Sequence, residues 1–167
     1  MLLGLSLATF TLVHVVISLI AIVAGLLVMF GMLSSKRQPG LTAIFLLFTI
    51  LTSATGFLFP FTQLLPSHMI GILSLVLLAI ACIALYAMKL SGAWRWIYSL
   101  TALVSLYLNV FVLVIQSFLK VPALTAVAPG NPPSGPVFAV VQGIVLVFFV
   151  LMIIGALRRF RPVAAFG

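Results

Sequence analysis

The sequence predicts an all-α protein, a polytopic membrane bundle of five transmembrane helices that forms one transmembrane domain over residues 1–167. Three observations predict it. The 167 residues contain no Asp and no Glu against eight Lys and Arg, so that 5% are charged and 65% hydrophobic. Mean hydropathy is +1.48, whereas a soluble domain covers itself with roughly 25–35% charged residues of both signs. The cations are also segregated: Lys36/Arg37, Lys89/Arg95 and Arg158/Arg159/Arg161 stand between or after long apolar runs.

Five runs, at about 7–33, 41–61, 68–88, 96–119 and 137–157, approach or exceed the ~20 residues a helix needs to cross ~30 Å of hydrocarbon. None contains an internal Lys or Arg. Continuous apolar stretches point to helices, because barrel strands would alternate. The first run follows no basic segment and closes on no small-residue cleavage motif, so a retained span is expected. It carries a stripe of small or polar residues, His14, Ser18, Ala21 and Gly25. The second carries Phe45, Thr49, Thr52, Gly56 and Pro60, and such stripes let membrane helices approach closely. Pro60, Pro66 and Ser67 bracket the next turn, with Ser67 the expected N-cap of the third helix. On the fourth, Tyr98, Thr101, Ser105, Asn109 and Gln116 follow helical period and predict a face turned into the bundle. The segment 121–136, with five prolines and two glycines, is expected to be a non-helical loop. The fifth run has one strongly polar side chain, Gln142, and suggests a wall or a surface for a neighbouring subunit.

Placing residues 34–40, 89–95 and 158–167 on one side collects seven of the eight cations there. The positive-inside rule then puts the N-terminus outside and the C-terminus in the cytoplasm, with Lys120 alone on the outer face.

Much chemistry is excluded. Without carboxylates there is no Ser-His-Asp triad and no paired-carboxylate glycosidase, and the buried acids on which cation transporters rely are missing. No P-loop or dinucleotide fingerprint occurs. The single Cys82 has no partner for a disulfide or a structural zinc site. Cations that flank the membrane point to anionic lipid as counterion and away from nucleic acid.

The two histidines share a depth. His14 precedes Lys36 by 22 residues and His68 precedes Lys89 by 21, so both stand ~32 Å from the basic turns at helical rise. The outer-half polar groups His14, His68, Thr55, Asn109, Gln116, Lys120 and Gln142 therefore form the candidate ligand site. Three functions follow from them. The first is a non-enzymatic membrane protein that binds a ligand, a larger membrane complex or a second copy of itself. The second is a haem b electron-transfer protein in which His14 and His68 ligate the iron and Lys120 meets a propionate. The third is a transporter of a small neutral or anionic solute, drawn by Lys120 and helix N-termini.

Several segments carry a resemblance: Ala54-Thr55-Gly56-Phe57 with Phe59-Pro60, Pro66-Ser67-His68, Gly92-Ala93-Trp94-Arg95, Tyr107-Leu108-Asn109-Val110-Phe111, and the stretch from Gln116 to Leu124. Over roughly residues 10–160 the chain resembles a family of small bacterial inner-membrane proteins with no established activity. The resemblance implies a multi-pass protein of the inner membrane and brings no cofactor or reaction with it.

Overall fold

The computed structural model describes residues 2–64 and 66–162. It is all-helical among those residues, and five of its helices are long and apolar enough to cross a bilayer; the chain is a multi-pass membrane protein. Helix α1 spans Leu7–Leu33. Its N-cap is Ser6, whose hydroxyl accepts from the Thr9 amide at 3.1 Å and satisfies one of the orphan donors of the first turn. The helix closes where the Lys36 amide returns to the Gly31 carbonyl at 2.8 Å, past Ser35 at φ +54°.

Helix α2 spans Pro39–Gly56 and starts on a proline, whose missing N–H costs nothing in a first turn. It stops five residues short of the expected end at 61. Pro60 lacks an N–H and disfavours helical geometry at Phe59, and the chain leaves the helix through two tight turns, Phe57 to Ala54 at 3.2 Å and Leu58 to Thr55 at 3.1 Å. Pro60 thus belongs to a loop and not to the α2 stripe.

Helix α3 spans Pro66–Cys82 and runs on through a π-helical turn, Ile83–Ala87. The Met88 amide reaches back five residues to Ile83 at 2.9 Å, and Lys89 and Leu90 both take positive φ to reverse the chain. Ser67 is not the N-cap; it lies within the first turn, which Pro66 begins.

Helix α4 spans Trp94–Lys120. A short helix, α5, spans Pro122–Val127 inside the segment expected to be non-helical. Pro122 occupies a first-turn position and Ala, Leu, Thr and Ala follow it, so one turn and a half forms before Pro129. Helix α6 spans Pro136–Arg159.

Helices α1 to α4 pack neighbour against neighbour in a four-helix bundle, and α6 leans on α4 and α1 from outside. It buries only Phe149 and Ala156. The densest packing lies in the half nearest the basic turns, where Val28, Met29, Phe45, Leu78, Leu103 and Leu106 meet. Gly25 lets α1 come close enough there that an added Cβ would lie 2.6 Å from Leu106 Cδ1 and 2.7 Å from the Phe45 ring. The α4 stripe points inward as expected, with Tyr98, Thr101 and Ser105 all buried. The basic end is tied together: Arg95 donates to the Phe160 carbonyl at 2.6 Å, and the Arg161 amide donates to the Ser35 hydroxyl at 2.8 Å.

Candidate ligand-binding cup

At the other end the four helices separate around a cavity of about 530 Å³, within the ~300–1,000 Å³ usual for small-ligand sites. Helix α1 supplies Leu7, Thr11, His14 and Val15, α2 supplies Thr52, Ser53 and Gly56, and α3 supplies Ser67, His68, Gly71 and Ser74. Helix α4 supplies Leu108, Asn109, Val112, Gln116 and Lys120. One to two turns deeper, Ala21, Thr49, Leu78 and Ser105 are fully buried, one from each helix. The cavity is therefore a cup with a sealed floor.

Of the seven residues chosen from the sequence, His14, His68, Asn109, Gln116 and Lys120 meet in its wall. Gln142 does not; it sits on α6 and donates to the Phe111 carbonyl at 3.2 Å, fastening α6 to α4. Thr55 also lies outside the lining and stands behind His14, whose Nδ1 it meets at 2.7 Å.

That contact has a direction. The Thr55 hydroxyl owns one proton, and its oxygen lies 2.6 Å from the Leu51 carbonyl. Two acceptors so close need that proton between them. In the contact with His14 the hydroxyl oxygen must accept, and Nδ1–H donates. A neutral His14 then carries its proton on Nδ1 and leaves Nε2 as a bare lone pair.

Sequence reasoning missed the aromatic rim. The loop released when α2 stops at Gly56 sets Phe59 edge-on to His14 at 5.2 Å. It also lays Phe61 and Phe57 beside the His68 ring, at 4.2 and 5.6 Å between centroids. His68 is 6% exposed, well enclosed for the first turn of a helix. Ser67, Gly71 and Ser74 were missed too, although their spacing of four and three along α3 repeats the stripes found on its neighbours. Every charged or polar side chain in the lining is a donor or is amphoteric, because the chain has no Asp or Glu. Among the described residues no group of three or more His, Cys, Asp or Glu could hold a metal ion.

No family model, no curated protein and no solved structure matches this chain.

Proposed function

We propose that this chain is a small binding protein of a bacterial inner membrane, N-terminus out, which holds a small ligand in the cup between α1 and α4. The observation that carries the proposal is the cavity: about 530 Å³, walled by four helices and rimmed by Phe57, Phe59 and Phe61. A packed bundle with no occupant to serve would fill such a volume with side chains. The buried layer beneath supports retention of a ligand over its passage, which ranks transport below binding. The bilayer is the constant partner, and seven cations at one end suit anionic headgroups.

The proton arrangement at His14 favours haem b as a second reading. Histidines that ligate metals donate their other ring N–H to a fixed acceptor, as His14 does to Thr55, and His68 lines the same cavity. Nanodisc-purified protein tests both readings at once. A Soret band that disappears in His14→Ala and in His68→Ala selects haem; a colourless protein that carries a small bound molecule by native mass spectrometry selects the first reading. Empty, colourless protein sinks both.

Orientation is tested separately. A C-terminal fusion to green fluorescent protein is expected to fluoresce, and one to alkaline phosphatase to stay inactive. The reverse pattern would place the cup on the cytoplasmic side.

A further inference from the structure

The cup's own hydrogen-bonding capacity limits what it can hold, and this step rests on the binding function proposed above. A cationic ligand finds no counterion in the lining, since the chain has no Asp or Glu. A strongly anionic one finds a single cation in the lining, Lys120, which is exposed at the mouth. Deeper in, the polar groups are imidazoles, hydroxyls and amides, which suit an uncharged ligand. His14 offers Nε2 as an acceptor because Thr55 holds its Nδ1–H, so the ligand should present a donor there. Asn109, also in the wall, has a side-chain amide nitrogen that is enclosed and without an acceptor. The oxygen and nitrogen of a side-chain amide exchange places by a flip about the terminal torsion, so Asn109 can offer a donor or an acceptor to a ligand in the cup. The rim adds three phenyl rings, two of them beside His68 and one against His14, and aromatic side chains in a cavity lining favour an aromatic ligand beside them.

We infer that the cup binds a hydroxylated aromatic ring of the hydroquinone class, with one hydroxyl donating to Nε2 of His14 and a second oxygen meeting the Asn109 amide. Thr55 is a positioning residue: it touches no ligand and fixes which imidazole nitrogen does. The same head group can come from a membrane quinol with an apolar tail or from a soluble phenol.

Full-length protein in nanodiscs, titrated under argon by calorimetry, separates these cases. The probes are hydroquinone, a decyl-substituted hydroquinone, and para-xylene, which keeps the shape and replaces both hydroxyls with methyls. Hydroquinone should bind about tenfold or more tightly than para-xylene, since the missing donor leaves polar groups of the cup unpaired. Thr55→Val should weaken hydroquinone by about three- to tenfold and leave para-xylene unchanged. A tighter decyl form identifies a membrane quinol, and equal affinities identify a soluble phenol. Equal binding of hydroquinone and para-xylene overturns the hydroxyl requirement while leaving the cup a binding site. Failure of all three probes overturns the ring class, and the native mass spectrum still judges the binding function on its own. Nitrogen-15 correlation spectra give a check that needs no ligand: His14 should be the Nδ1–H tautomer in the wild type, and an Nε2–H tautomer would remove the basis of the inference.

Discussion

Gly25→Leu is expected to destabilise the bundle by about 3 kcal/mol or more, the upper range for overpacking a filled core. A Cβ at position 25 would come within 2.6–2.7 Å of Leu106 Cδ1 and of two Phe45 ring carbons. Neither neighbour has room to retreat, because both are completely buried. Leucine is the informative substitution. It is a better helix former than glycine by ~0.8–1 kcal/mol and suits hydrocarbon at least as well, so every local term favours the variant and only the clash opposes it. Membrane helices have no hydrophobic effect to drive them together and rely on close packing. Prising α1 from α2 and α4 at this point therefore removes the main contact that holds the bundle. Gly143→Ala is the control: an added Cβ there meets nothing within 4 Å, and the variant should be as stable as the wild type or up to ~1 kcal/mol more so. Steric trapping in bicelles measures both. Equal stability of Gly25→Leu and wild type would mean that the three helices do not cross as described.

The membrane class and the five helices were legible because they depend on composition and run length, and both survive any detail of packing. The shared depth of His14 and His68 was legible for the same reason: helical rise converts residue number into distance, and it brought both into one cavity wall with Asn109, Gln116 and Lys120. What escaped was set by termination and by contacts between distant residues. The apolar run through Phe57, Phe59 and Phe61 suits a membrane span and a cavity rim equally well, and only Pro60 marks the difference. The prolines and glycines of 121–136 read as a non-helical loop, although Pro122 is compatible with the first turn of α5. The π turn before Lys89 lies against α4, a contact between distant residues that local pattern does not encode. Depth alone groups Thr55 and Gln142 with the ligand site. Thr55 serves it indirectly, through a partner 41 positions away, and Gln142 serves the joint between α6 and α4.

Gly56→Leu should weaken binding in the cup at least tenfold while leaving the fold intact. Gly56 ends α2 and lines the cavity, and the one atom within 4 Å of an added Cβ is His14 Cε1, at 3.9 Å. That is ordinary contact, so the first carbon fits without strain. The remaining carbons must extend into the open space beside Cε1, which is bonded to Nε2, the nitrogen left without a proton. A leucine there covers the proposed acceptor and occupies room that a ring would need. Loss of that hydrogen bond together with the excluded volume predicts at least a tenfold fall in hydroquinone affinity, or about 1.4 kcal/mol. Stability should hold or rise by up to ~1 kcal/mol, since the helix exchanges a poor former for a good one. The haem reading makes the same demand in a different signal: a Soret band, if the wild type has one, should vanish in this variant. Gly71→Ala is a graded comparison, because its Cβ would press on the Phe57 ring at 3.1 Å and disturb the rim from behind. Its effect should fall between wild type and Gly56→Leu. Undiminished binding in Gly56→Leu would place the occupant away from His14, and the chemistry assigned to that imidazole would go with it.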